Sequence, residues 1–339
     1  MAAKTKIKAV PVKQPQIPPG TKKIVIFDTN AYRDLTFGLS LAEARAKALR
    51  LRALEQKAGN FALASPIVIW ELIAHLGNIS DLAYPYCLNA LVALAEHTWS
   101  PFDPNAGICL FADAASTVCR ELFLTVPPIA VQNVQNLSKL AAYVKKHAPN
   151  LTLPAALTNL KVFSMELAKR EKQWLTDMQK ILTDCDPKIA KPWIGGKDDK
   201  DVRQKLRSYF ASPAFMDAWA AITVVRHANM LGVKLTPAEL SEKAKAIRKI
   251  FPVPFHLMSA LLQKFPTPQP MNLSSPKRNR GNFMCDTAIC FSIGGFHEVD
   301  GASMFLVTAD RAIKDAANVA QCPDRVVTLT DYRNSVGLQ

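Results

Sequence analysis

Residues 22–30 read KKIVIFDTN. Ile24, Val25, Ile26 and Phe27 run without a polar step into Asp28. An unbroken apolar run predicts a strand covered on both faces, as in a parallel sheet, rather than the alternation of a half-exposed strand. An acid at the carboxyl end of such a strand lies at the edge where open α/β sheets bind ligands. The same acid would also serve as the N-cap of a following turn, so the stretch alone leaves both readings open.

Working outward, SLAEARAKALRLRALEQKAGN (40–60) has helical spacing and ends on Gly59-Asn60 as a stop signal. FALAS (61–65) is a short strand-like run. SPIVIWELIAHLG (65–77) predicts a helix with Ser65 as N-cap, Pro66 at the first position and Gly77 as its end. The alternation returns near the other end of the chain: CDTAICFSIGG as a helix, MFLVT as a strand, ADRAIKDAANVA as a helix and RVVTLT as a strand. Strand–helix–strand order implies right-handed crossovers and a parallel sheet flanked by helices. Neither end has enough strands by itself, so residues 21–112 and 280–335 are expected to form one α/β domain. Residues 113–279 carry apolar residues at helical spacing and predict a helical insertion. Residues 1–20, basic and proline-rich without a signal-peptide core, predict a disordered tail.

Composition narrows the function class. The 339 residues are 49% hydrophobic and carry a net charge of +14, which favours a polyanionic partner. No stretch approaches the roughly 18 apolar residues of a membrane span, so a nucleic acid is preferred over a membrane. Seven scattered cysteines without a CxxC pair point to a reduced, cytoplasmic protein. The six histidines lack zinc-ligand spacing.

Three more acids stand out like Asp28. Glu71 is the one polar residue between Ile67 and Ala74, Asp286 opens an apolar helix, and Asp310 follows the strand-like MFLVT. Each has an ordinary reading as a cap or a surface ion pair. Together they place four carboxylates on one side of one sheet. Clustered carboxylates repel unless a cation neutralises them, and oxygen ligands without His or Cys favour Mg²⁺ or Mn²⁺. Such an ion lowers the pKa of a bound water and polarises a phosphoryl oxygen, which suits phosphodiester hydrolysis.

At these residues the sequence resembles the PIN-domain nucleases, VapC-like metal-dependent enzymes. IVIFDTN is similar to the family's first motif, ASPIVIWELI to the second, NFMCDTAICFS to the third and LVTADRAIKDAA to the fourth. The resemblance implies a PIN-like parallel sheet, with Asp28, Glu71, Asp286 and Asp310 as catalytic and metal-holding acids and Asn30 and Thr308 as supporting polar residues. It further implies an endoribonuclease using Mg²⁺ or Mn²⁺ on single-stranded or structured RNA, DNA being also open. Toxin, defence and processing roles all fit, an inhibitory antitoxin-like protein and a homodimer being partners consistent with them. The long separation between the second and third motifs departs from the compact members of the family.

The basic excess offers phosphate contacts. Lys277, Arg278 and Arg280 lie just upstream of Asp286, and Arg45, Lys47, Arg50 and Arg52 crowd the helix after the first motif. Trp193 and Tyr209 are candidates for base stacking, with packing inside the insertion the preferred reading. Two other functions compete: a PIN-fold RNA-binding module without catalysis, and a haloacid-dehalogenase-like phosphatase. The latter needs a second acid two residues after Asp28, where Asn30 stands.

Overall fold

The protein is described by a computed structural model covering residues 17–102, 107–148, 154–185, 200–264, 266, 283–294 and 298–338. Its strands are β1 (Lys23–Phe27), β2 (Asn60–Ala62), β3 (Glu298–Val299), β4 (Ala302–Val307) and β5 (Val326–Val327). β1 lies between β2 and β4 and is parallel to both; β5 runs parallel to the end of β4, and β3 pairs antiparallel with its start. The expected α/β class with a parallel sheet flanked by helices is what the chain adopts.

The apolar run that opened the reading forms the middle of this sheet. Ile24, Val25 and Ile26 are completely buried and Phe27 is nearly so. Burying each such side chain contributes about 1.5–3 kcal/mol, which explains why no polar residue interrupts the run. From β1 the chain leaves through α1 (Thr29–Leu35) and α2 (Leu41–Ala58) to reach β2 on one side, while β4 lies on the other. The strand order therefore reverses between β1 and β4, and the crevice above that reversal is where Asp28 and Thr308 emerge.

Local signals account for most helix ends. Ser40 and Glu43 form a capping box at the start of α2, and Gly59 closes it in the left-handed conformation at φ 77°. Two expectations need correction. α3 (Pro66–Ala74) ends before Gly77, whose φ is not left-handed. Gly77 is instead small because a helix backbone passes over it: a Cβ there would lie 2.8 Å from the Cα of Lys161. The expected strand RVVTLT is extended only at Val326–Val327, because Thr328 turns the chain into a helix by accepting a hydrogen bond from Asp331 N at 3.0 Å.

After α4 (Tyr84–His97), the segment 113–279 contains no strand among its described residues. Its helices are α5 (Ala114–Phe123), α6 (Pro128–His147), α7 (Pro154–Cys185), α8 (Lys200–Phe210), α9 (Pro213–Leu231), α10 (Pro237–Ile250) and α11 (Pro252–Leu262). α6, α7 and α11 place Leu137, Ala141, Leu160, Val253 and Leu257 in the same apolar cluster as β1. The remaining helices are α12 (Phe283–Cys290), α13 (Arg311–Val319) and α14 (Leu329–Val336). α11 packs against both α12 and α13, and α7 packs along α3. No described helix is long and apolar enough to cross a membrane.

Candidate active site

Strand register builds the first half of the site. β1 and β4 pair Phe27 with Val307, so the next residues, Asp28 and Thr308, stand side by side. Backbone bonds continue the ladder: Asp28 N donates to Val307 O at 3.0 Å, and Thr308 N donates to Val327 O at 3.0 Å. The Thr308 hydroxyl donates to Asp28 Oδ2 and accepts from Asp310 N at 2.9 Å. One fully buried threonine thus ties together two acids that are 282 positions apart in sequence.

Both acids also cap helices. Asp28 Oδ1 accepts from Ala31 N at 2.5 Å at the start of α1. Asp310 Oδ1 accepts from Ala312 N at 2.6 Å and Ile313 N at 3.2 Å at the start of α13. The capping and site readings are therefore compatible. The caps point each carboxylate and the strand ends bring them together.

The second half comes from helices. Glu71 projects from the middle of α3, where Thr29 Oγ1 donates to its Oε2 at 2.5 Å and the Cys285 thiol donates to the carboxylate. Asp286 is the next residue on α12. Asp28, Thr29, Asn30, Arg33, Glu71 and Asp286 line one cleft of about 330 Å³, joined there by His75, Leu167, Glu171 and Cys285. Asn30 is exposed at its edge.

The acids raise one another. Burial is the main cause of a pKa of about 6 at Asp28, about 7 at Glu71 and about 8 at Asp286. Negative neighbours add to it: Asp310 at Asp28; Asp28 and Glu171 at Glu71; Asp310, Glu71 and Asp28 at Asp286. The hydrogen bonds from Thr308 and Thr29 act in the opposite sense. Burial and the surrounding acids also drive the Cys285 thiol well above its ordinary value, so it is a neutral donor rather than a nucleophile.

Sequence reasoning missed several members. Thr29 and Cys285 hold Glu71, while Arg33 places a cationic group in the wall beside His75, whose Nδ1 lies 2.8 Å from Asp81 Oδ2. Glu171 arrives from α7 and is only 4% exposed. Its signal was present: Leu167, Glu171, Trp174 and Leu175 follow helical spacing, and all four are buried. An acid within an apolar stripe is the feature that singled out Glu71, but here charged residues on the other helix faces obscure it.

The proposed phosphate contacts fare differently. Arg45 is half-buried, pairs with Glu96 at 3.6 Å and donates to Lys145 O, so its charge is already engaged. Arg50 is exposed on α2, and neither residue lines the cleft. Lys277, Arg278, Arg280 and Trp193 lie outside the described residues. Tyr209 packs edge-on against Phe215 with ring centroids 5.7 Å apart, as expected of an aromatic inside the insertion.

The donor set of carboxylate oxygens without imidazole at its centre suits a hard divalent ion. As the side chains stand, no group of three or more His, Cys, Asp or Glu among the described residues is arranged to hold a metal ion. Asp28 and Asp310 are turned toward their caps and Glu71 toward Thr29, so binding an ion would require these side chains to re-aim. Comparisons with protein-family models, curated proteins and solved structures give no match for the chain.

Proposed function

We propose that the protein is a metal-dependent nuclease of PIN type, acting on RNA phosphodiester bonds. The observation that supports this most is the meeting of Asp28, Glu71 and Asp286 in one cleft, all three above their ordinary pKa, with Asp310 joined to Asp28 through Thr308 although it does not line the cleft. Holding like charges together costs stability, and a cation that offsets the repulsion gives the arrangement a purpose. Asp28, Asp286 and Asp310 would hold Mg²⁺ or Mn²⁺, with Glu71 beside them. When bound, such an ion supplies Lewis acidity toward a phosphoryl oxygen and lowers the pKa of a water.

The chain's own residues do the rest. Thr308 fixes the orientation of Asp28, and Thr29 with Cys285 fixes Glu71. Glu71, held by Thr29 and Cys285, would accept a proton from an attacking water. Arg33 offers positive charge to the phosphodiester at the cleft wall. Glu171 adds negative charge on the side supplied by the helical insertion.

A second reading, a PIN-fold RNA-binding module without catalysis, is favoured by the lack of a ready-made metal group among the described residues. One experiment separates the two. Labelled single-stranded RNA, hairpin RNA and single-stranded DNA are incubated with Mg²⁺, Mn²⁺ or chelator, alongside Asp28→Asn and Asp286→Asn proteins checked for folding by circular dichroism. The nuclease reading expects ion-dependent cleavage that both substitutions abolish. Cleavage surviving in either variant rejects the assigned site, and binding without cleavage under any ion selects the module.

A further inference from the structure

A second concave site lies away from the acids, between α9, α10 and α11. Its volume is about 290 Å³, and its charged lining has the opposite sign. Lys245, Arg248 and Lys249 face it from α10, and His256 faces it from the first turns of α11. Met216, Pro252 and Phe255 give it an apolar floor, Phe255 being almost fully buried. One carboxylate answers the cations: Asp217 pairs with Arg248.

Basic residues in the last turn of a helix are ordinary, because they complement its dipole. Arg248 and Lys249 fit that explanation. Lys245 does not, since it sits a full turn earlier. The three occupy positions i, i+3 and i+4, so they crowd a single face of α10 where like charges repel. They line a concavity whose apolar floor includes the buried Phe255. Burial, and then the charge of Arg248, lowers the pKa of His256 from its ordinary value. Three permanent cations against one carboxylate leave a local excess of two positive charges.

We propose that this pocket binds a phosphate monoester. A dianion matches the local charge, and a concavity of about 290 Å³ has room for a phosphate group and part of what it is attached to. Charge-assisted hydrogen bonds from Arg248, Lys245 and Lys249 would hold the phosphate oxygens. Phe255, Met216 and Pro252 give the attached organic group an apolar surface. The same chemistry is found on a free nucleotide and on the 5′ end of an RNA strand. The proposal stands apart from the nuclease reading, because it uses none of the residues of the acidic cleft. α11 nevertheless lies between the two sites, packing inward on α12 and α13, which carry Asp286 and the Asp310 cap.

The test compares four probes on the full-length protein by titration calorimetry at fixed salt: inorganic phosphate, adenosine 5′-monophosphate, and one RNA tetranucleotide with and without a 5′-phosphate. Wild type is compared with the Lys245→Gln/Lys249→Gln protein, whose substitutions sit on exposed side chains and leave the fold intact. The expected result is about tenfold or greater preference for a phosphorylated probe over the 5′-hydroxyl strand, lost in the double variant. Tighter binding of the mononucleotide identifies a nucleotide site, and tighter binding of the 5′-phosphorylated strand identifies an end-binding site. Equal affinity of the phosphorylated and hydroxyl strands, together with no binding of the mononucleotide, overturns the proposal. So does a phosphate preference that the double variant retains. Cleavage of the 5′-hydroxyl strand, if wild type shows it, should be unchanged in the variant.

Discussion

Two polar clusters adjoin the same strand, and they are built on opposite principles. Beside Phe27 lies a closed network: Tyr32 Oη and His97 Nδ1 are 2.9 Å apart, His97 Nε2 and Glu55 Oε2 are 2.5 Å apart, and Tyr332 donates to Glu55 Oε1 at 2.7 Å. Asn60 completes it by donating to Tyr332 Oη at 3.3 Å. Tyr32, His97 and Phe27 also pack ring against ring. One residue further along the strand, the cleft holds acids that raise one another. In the first cluster donors and acceptors are matched, and it joins α1, α2, α4, β2 and α14 at little electrostatic cost. In the second, acids crowd together, and Asp28, Glu71 and Asp286 are each raised by negative neighbours. A network of matched donors and acceptors serves the fold, whereas a crowd of like charges marks a candidate site for a cationic ligand.

The largest expected effect falls on the matched cluster. Glu55→Ala strands His97 and Tyr332 in the core and should cost about 3 kcal/mol or more by urea unfolding, while any cleavage per folded molecule stays unchanged. The acidic cluster should behave in reverse. Asp28→Asn keeps a good N-cap for α1 and removes one of the repelling charges, so stability should hold or rise while cleavage falls by about 100-fold or more. A variant that loses activity and stability together would erase the contrast.

A third effect tests how the insertion reaches the cleft. Gly77→Ala forces a Cβ against the Lys161 backbone, lifting α7 from α3 and with it Leu167 and Glu171. Overpacking of this kind costs about 1–3 kcal/mol, and cleavage should fall more than in Val162→Ala, an exposed change on the same helix. Equal activity in the two would show that α7 only packs.

The last effect is a pH dependence. Asp28, Glu71 and Asp286 have folded pKa values of about 6, 7 and 8, above the ordinary carboxylate value near 4. Between pH 4 and 8 the folded protein therefore holds more protons than the unfolded chain, so this part of the stability declines as pH rises. In chelator, Tm should fall by a few degrees from pH 5.5 to pH 8, and Mg²⁺ or Mn²⁺ should restore more at pH 8 than at pH 5.5. A Tm that rises over that range, with ion effects independent of pH, would argue against the carboxylates as the cause.

The legible parts of the fold were those with a strong local signature. Apolar runs ending in acids marked β1 and β4, and the capping box with Gly59 marked α2. α1 escaped notice because Thr29–Leu35 is short and mixed in polarity. Gly77 looked like a stop signal because a glycine needed for close packing and one needed for positive φ are the same letter. Arg45 resembled a free phosphate contact because Glu96 lies 51 positions away in sequence and meets it only in the folded chain. Among the candidate site residues, the four acids stand out in the sequence by their apolar settings, whereas Thr29, Cys285 and Glu171 depend on how α3, α7 and α12 pack.

The bond from Thr308 to Asp28 has a consequence for how the protein is made. During synthesis Asp28 leaves the ribosome 280 residues before the threonine that orients it. Until β4 inserts beside β1, Asp28 and Asp310 have no common anchor. A nascent chain can cap its helices and pack α2 and α4, yet it carries no assembled cluster of acids. Whatever chemistry the cleft performs is withheld from the growing polypeptide and its surroundings until translation has passed residue 310.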